Sequence, residues 1–399
     1  MADTSSIQPL LPEEKACQEL LDLAAQLQVD ALRLVGHAGV GLTRALAPLL
    51  LSMNSYYTNR IEGQHTRPAD IERALRRDFD ANADLARRQR LALAHIEAEQ
   101  ALEESFAGAE PRSLFAPSVV TRIHRELYTR LSPDDRRTEE GDVVAPGELR
   151  QAQVTVGRHL APTASEVGPF LADWAGAYSR VSGREMLLVA IACSHHRLAW
   201  IHPFRDGNGR VARLHSHLLI RSMGLSAGLW SPMRGLARAQ DEYYAALHNA
   251  DLPRRNDLDG RGSLSQEGLA AFARYFLGRC LDQVRFLEER LALASLRSGL
   301  ADLLRYLEAT PWKVGSEKSV VKADCLEALH YCAVVGPLER ARFVAMTGLG
   351  ERTGRRVLAS LLHFGILASP STKAPVSFAL PQACLRFVLP GLWPEVDTE

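Results

Sequence analysis

The stretch WIHPFRDGNGRVARLHS, residues 200–216, gathers residue types that handle phosphates. Gly207 and Gly209 flank Asn208. Two glycines let the chain turn tightly and aim several N–H groups one way where a helix begins, which makes an anion nest. Arg210 and Arg213 follow on one face of the first helical turn, and each guanidinium fork can grip phosphate oxygens in pairs. A lone phosphate does not need both. Asp206, just before the nest, is a hard oxygen ligand suited to Mg²⁺ bridging two phosphates of a nucleotide. His202 lies on the loop ahead of it, and an ordinary imidazole pKa of about 6.5 suits a general base near neutral pH. Phe204 reads as an apolar anchor for the loop, while Asn208 either donates to a phosphate oxygen or holds the turn. Together these parts describe a phosphoryl- or nucleotidyl-transfer site. They are neither a P-loop nor a dinucleotide fingerprint, because GxxxxGK with a following Ser or Thr is absent and no parallel strand precedes.

The elements that must position these residues are helical. Periodic apolar residues run from Glu13 to about Glu104, so a helical N-terminal region is expected over 1–110. It is interrupted at SMNSYYTNRIEGQHTRPAD, residues 52–70, where Gly63 can end one helix and Thr66, Pro68 and Asp70 can start the next. A core over 111–295 follows. In it PSVVTRIHRELYTRL and EMLLVAIACSHHRLAWIHPF read as helices, the latter apolar on most sides and therefore central. A loop with a small β-hairpin is expected around Gln151–Val156, and a single long helix from Glu267 to about Leu300. From 300 to 395 the order helix, helix, glycine-containing turn, helix and two short strands resembles a winged helix-turn-helix, with Glu351–Phe364 in the recognition-helix place. The fold class expected is all-α: a helical core with the small β-hairpin, a helical N-terminal region and a C-terminal winged helix-turn-helix.

Composition narrows the function classes. The 399 residues carry 47 basic and 47 acidic side chains, so no global field draws the chain to nucleic acid or an anionic membrane. Six cysteines are scattered without a CxxC pair, which reads as buried reduced thiols of a cytoplasmic protein. The N-terminus lacks a basic start followed by an apolar stretch, and no apolar run is long enough to span a bilayer, so neither a secretory signal nor a membrane partner is expected.

HPFRDGNGRVAR matches, at every specified position, the HxFx(D/E)GNGRxxR motif of the Fic family. The resemblance extends over about residues 50–280, through GELRQAQVTVGRH upstream and YYAAL downstream. It implies a Fic-type helical core and a protein adenylyltransferase that moves AMP from ATP, with Mg²⁺, to a Tyr, Thr or Ser hydroxyl of a target protein, releasing pyrophosphate. His202 would then deprotonate the hydroxyl and Asp206 hold Mg²⁺. Gly207, Asn208 and Gly209 would cradle phosphates, and Arg210 and Arg213 would hold the β and γ phosphates. Val154, Thr155, Val156 and Gly157 would form the working edge of a flap that aligns the target by strand addition. Tyr243, Tyr244 and Asp251 fall where adenine contacts are expected, although the two tyrosines serve equally well as core aromatics.

Thr58-Asn59-Arg60-Ile61-Glu62-Gly63 resembles the inhibitory motif of the same family, Ser or Thr, three residues, then Glu and Gly or Asn. It implies that Glu62 pairs with Arg213, takes the place of the γ-phosphate and holds ATP in an unreactive pose. Removing one partner of a buried Arg–carboxylate pair costs about 3–5 kcal/mol, enough to keep a site mostly shut. Related proteins use this glutamate to activate water and remove AMP, so deAMPylation stays open. A nucleotide-sensing regulator that binds DNA through the winged helix is the reading from another class, and that region could equally make a homodimer.

Overall fold

The computed structural model describes residues 5–138, 140–157, 159–314 and 317–395, with side chains for all of these except 14–16, 156, 314 and 317. The N-terminal stretch folds into α1 (Glu14–His37), α2 (Val40–Ile61), α3 (Pro68–Leu75) and α4 (Ala83–Ser105). The interruption expected over 52–70 is shorter than anticipated, because α2 continues through Ser52–Thr58 to Ile61 and the chain turns at Gly63, φ +73°. Polar side chains there do not break the helix because tertiary partners satisfy them. Asn54 Nδ2 donates to Glu99 at 2.6 Å and Ser55 Oγ to the Ala92 carbonyl at 2.7 Å. Pro68 occupies the first turn of α3, where its missing N–H costs nothing. Asn82 caps α4, its Oδ1 accepting from the N–H groups of Asp84 and Leu85 at 3.0 and 3.1 Å.

Next come α5 (Pro117–Thr129), the hairpin strands β1 (Thr155–Val156) and β2 (His159–Leu160), then α6 (Ala164–Tyr178), α7 (Arg184–Ile201), α8 (Asn208–Ser222), α9 (Pro232–Arg238), α10 (Gln240–Asp251) and α11 (Gln266–Leu291). The hairpin has two residues per strand, paired Thr155 with Leu160 and Val156 with His159, and lies later than the alternating run suggested. Fourteen of the eighteen residues of α7 are buried, which makes it the central helix, packed against α6 and α8. In turn α8 packs on α4, α5 and α9. The long helix expected from Glu267 to Leu300 is two helices, α11 and α12 (Leu293–Ala309), because Ala292 is extended at φ −53°, ψ 133°.

The chain divides into two compact units. One comprises Met1–Leu32, Leu51–Ser226 and Trp230–Val284, and the other Arg33–Leu50, Ala227–Leu229 and Arg285–Glu399. From Leu51 on, the N-terminal helices belong to the same unit as the helices around α7. The second unit contains α12, the strands β3 (Lys313–Val314) and β4 (Glu317–Lys318), α13 (Leu326–Val334), α14 (Arg340–Met346), α15 (Glu351–Phe364), β5 (Leu367–Ala368), β6 (Ser377–Phe378) and α16 (Leu385–Val388). In this unit α13, α14 and α15 are followed by the antiparallel pair β5 and β6. A Cβ at Gly354 of α15 would sit 2.7 Å from Val344 of α14, so the glycine permits the close helix contact. Among the described residues no single helix is long and apolar enough to cross a membrane, and all six cysteines are free and buried.

The cap on α4 supplies a direct test of this packing: Asn82→Ala should lower unfolding free energy by about 1 kcal/mol, read as a shifted urea midpoint with an unchanged slope.

Candidate active site

The loop between α7 and α8 is built by its own short-range bonds. Asn208 spends its side-chain amide on Phe204, accepting from the Phe204 N–H at 2.8 Å and donating to the Phe204 carbonyl at 2.9 Å. Of its two sequence readings, holding the turn is the one this geometry satisfies. Phe204 is fully buried and stacks on His124 of α5, ring centroids 3.9 Å apart and planes within 5°. His124 stacks in turn on Tyr128, at 4.4 Å. Its tautomer follows from its partners. Gly147 N–H donates to Nδ1 at 2.8 Å, so Nε2 carries the hydrogen and donates to the Asp206 carbonyl at 3.2 Å.

His202 ends α7 in the left-handed conformation, φ +50°, ψ 61°, which is strained for a residue with a Cβ. Arg150, 3% exposed, holds it there. Its Nε donates to the His202 carbonyl at 2.7 Å and its backbone N–H to the Pro203 carbonyl at 2.9 Å. The same guanidinium reaches the carbonyls of Ala152 and Pro162, so one side chain ties the root of the hairpin to the loop after α7. His202 Nδ1 lies 3.3 Å from the Ala199 carbonyl, which favours the hydrogen on Nδ1 and leaves Nε2 as an acceptor. Burial, with the positive charge of Arg150 adding to it, lowers the His202 pKa to about 4. The ring is neutral at physiological pH.

Gly207, φ +80°, is the N-cap of α8, and a Cβ there would lie 2.6 Å from the Tyr128 hydroxyl. The first intrahelical bond at this end runs from Val211 N–H to the Gly207 carbonyl, so the preceding N–H groups open the helix as donors. A Cβ on Gly209 would collide with the Glu62 carboxylate and approach Arg213. Arg210, 8% exposed, donates from Nη2 to the Tyr128 hydroxyl at 2.7 Å and to Asp206 Oδ2 at 2.9 Å. Tyr128 donates to the same Oδ2 at 2.6 Å. Burial alone would raise the Asp206 pKa, but Arg210 and Tyr128 outweigh it and hold the carboxyl below its ordinary value. It is ionised at neutral pH.

Arg213 is 1% exposed. Its Nε donates to Thr58 Oγ1 at 2.8 Å, and Nη2 donates to the Thr58 carbonyl at 3.2 Å and to Glu62 Oε1. Thr58 and Glu62 thus close on the same guanidinium from the end of α2. Tyr244 supports that end, its hydroxyl donating to the Ile61 carbonyl at 2.6 Å.

Two cavities collect most of the residues singled out by the sequence. Glu62, Val154, Thr155, His202, Asp206 and Arg210 line one of about 790 Å³, together with Tyr128 and Gln153. Gly157, Tyr244 and Asp251 line another of about 470 Å³ with His159, Trp200 and Leu247, more apolar in character. Tyr243 lines neither. It is 1% exposed, its hydroxyl 2.8 Å from His195 Nε2, and its core reading is the one the packing supports. Of Val156 only the backbone is described. Tyr128, His124 and Arg150 were missed in the sequence. A spacing of four on α5 puts the first two on one face, which was a usable signal, whereas nothing local marks Arg150.

Residues 114–220 match the family model described as Fic/DOC family. Over 140 residues the chain is 36% identical to protein adenylyltransferase fic-1 of Caenorhabditis elegans and 33% identical to that of Caenorhabditis briggsae. Each match covers 34% of this chain and 26% of the relative, so the chain spans about a quarter of the length of the curated relatives it matches. A crystal structure of a Fic family protein from Desulfovibrio desulfuricans G20 superposes with a TM-score of 0.51 at 18% identity, over 90% of this chain and 96% of that one. That likeness concerns the fold.

Two outcomes follow from the site's geometry. Asn208→Ala leaves the buried Phe204 N–H and carbonyl unpaired and should cost about 1–3 kcal/mol in a denaturant titration. His202 should titrate near pH 4 rather than 6.5 in NMR spectra of histidine-labelled protein. The unfolded chain then takes that proton first, so His202 should favour unfolding as pH falls from about 6.5 towards 4.

Proposed function

On the premise that residues 114–220 form a Fic domain, we propose that the chain is a protein adenylyltransferase, moving AMP from ATP to a Tyr, Thr or Ser hydroxyl of a target protein. The observation that carries this reading is the single cavity lined together by a neutral His202, an ionised Asp206 and Arg210 of the first turn of α8. In this reading His202 Nε2 takes the proton of the attacking hydroxyl, while Nδ1 stays on the Ala199 carbonyl. The opening N–H groups of α8, with Arg210 and Arg213, receive the phosphates, so charge on the leaving pyrophosphate meets donors already in place. Asp206 fits a Mg²⁺ site, being ionised, half exposed and lining the cavity, since Mg²⁺ is usually held by one or two carboxylates plus substrate phosphates. Bound there, the ion would neutralise phosphate charge. The apolar cavity of Trp200, Leu247 and Tyr244 suits a nucleobase, with the Asp251 carboxylate at its wall as an acceptor for an exocyclic amino group. The hairpin edge at Val154 and Thr155 borders the larger cavity, where a target segment could add as a strand.

Glu62 is the brake in this proposal. Its contact with Arg213 occupies the guanidinium that the terminal phosphate needs, and Thr58 holds the same group from the side. With the Glu62 side chain 29% exposed, the pair is worth less than the about 3–5 kcal/mol attached to breaking a fully buried one. Because Glu62 and His202 share a cavity, the same carboxylate could also activate water for AMP removal. A second reading rests on α15, whose exposed face carries Arg352, Arg355 and Arg356 beside Lys318. These suit a nucleic-acid phosphate backbone, and a gel shift that weakens steeply with salt would favour it.

Incubated with Mg²⁺ and ATP, Glu62→Gly should gain mass in units of AMP at least about ten times faster than the parent chain, a difference of about 1.4 kcal/mol. Glu62→Gly combined with His202→Ala should gain none. Equal labelling with and without Glu62 overturns the brake, and labelling that survives loss of His202 overturns its role as base.

A further inference from the structure

One turn beyond Arg213, α8 presents a second polar group to the interior. His217 is fully buried, and its Nε2 lies 2.9 Å from Glu103 Oε1 and 3.3 Å from Glu99 Oε1. Both carboxylates stand on α4, where His95, Glu99 and Glu103 recur every four residues and so form one stripe. The imidazole nitrogen and the two carboxylate oxygens lie within 4.8 Å of one another. Asn54 of α2 donates to Glu99 Oε1 at 2.6 Å, and Arg221 Nη2 lies 3.1 Å from Glu103 Oε2.

Protein partners leave this cluster incompletely paired. His95 is 1% exposed and neither of its ring nitrogens has a hydrogen-bond partner. It is aimed at the cluster, with Nδ1 3.5 Å from Glu99 Oε2, and that oxygen is also unpaired. His217 Nδ1 is buried and unpaired as well. Unpaired polar atoms deep in a protein are costly, and several facing one another mark a place for a ligand that pairs them all. The spacing indicates which. A zinc ion bound by imidazole nitrogen and carboxylate oxygen at about 2.0–2.2 Å holds its ligand atoms roughly 3.3 Å apart, close to the separations here. Mixed nitrogen and oxygen donors suit zinc and its transition-metal neighbours better than Mg²⁺ or Ca²⁺.

We propose that His217, Glu99 and Glu103, with His95 as a further donor, bind one divalent transition-metal ion of the zinc type. None of the four lines the cavity of His202 and Asp206, so the site is separate from the one proposed for the nucleotide and stands whether or not that reading holds. Two carboxylates balance the ion's charge. Imidazole and carboxylate bind a metal in their deprotonated forms, and the ion must bind against the positive charge of Arg221 beside Glu103. Affinity therefore falls as the solution is acidified.

The test uses the full chain, stripped with a chelator and dialysed against zinc chloride at about pH 7.5 and again at about pH 6, where bound metal is counted by mass spectrometry. One equivalent should bind, more weakly at the lower pH. Glu99→Gln and His217→Gln should each weaken binding by at least about tenfold, a loss seen even for groups that only support ligands. Asp206→Asn should bind as the parent does. Because a buried substitution can impair folding, Co²⁺ added to the unaltered chain gives an independent readout, namely the strong visible bands of a low-coordinate site. Failure to bind one equivalent, unchanged binding in both Gln variants, or a spectrum of merely hydrated Co²⁺ would each overturn the proposal.

Discussion

Two guanidinium groups buried at the start of one helix set the terms for everything around them. Arg210 and Arg213 are 8% and 1% exposed, and a cation withdrawn from water without partners costs several kcal/mol. Each is therefore met. Arg210 has Asp206 and the Tyr128 hydroxyl, and Arg213 has Glu62, Thr58 Oγ1 and the Thr58 carbonyl. These partners stand where a polyphosphate would have to compete, and so the electrostatic requirement of the fold and the proposed control of the site are the same interaction. Asp206 and Glu62 differ in what they can yield: the first is fixed by its own loop, whereas the second hangs from the end of α2.

Rigidity in the loop comes from stacking and from backbone capture rather than from regular structure. Phe204, His124 and Tyr128 form a continuous stack, and His124 uses both ring nitrogens on backbone groups. Arg150 gathers carbonyls from the hairpin root and from His202. The strained backbone of His202 can persist because these contacts over-determine it. A histidine in such a place gains a fixed direction and a lowered pKa together, since the packing that orients the ring also removes its water.

Much of the site was legible from residues 200–216, because the nest, the arginine pair and the acidic residue lie within one turn and its flanking loop, where spacing alone dictates proximity. The helix order was also legible, since apolar periodicity reports which face is buried. Other features were not. The continuation of α2 through Ser52–Thr58 depends on Glu99 and the Ala92 carbonyl, far along the chain. Nothing near Ala292 in the sequence announces the break between α11 and α12. Tyr243 and Tyr244 are adjacent, yet one is core and the other lines a cavity, a difference of orientation around α10 that two neighbouring tyrosines cannot encode by type.

By itself, then, the sequence determined the kinds of groups available, their local order and the helical scaffold, because these follow from residue chemistry and from periods of a few residues. Tertiary structure decided which groups meet. It brought Thr58 and Glu62 to Arg213 across about 150 positions, set the neutral state of His202 by burial, and faced His217 with the glutamates of α4. Those outcomes depend on long-range packing and on the removal of water, and neither has a signature in the order of neighbouring residues.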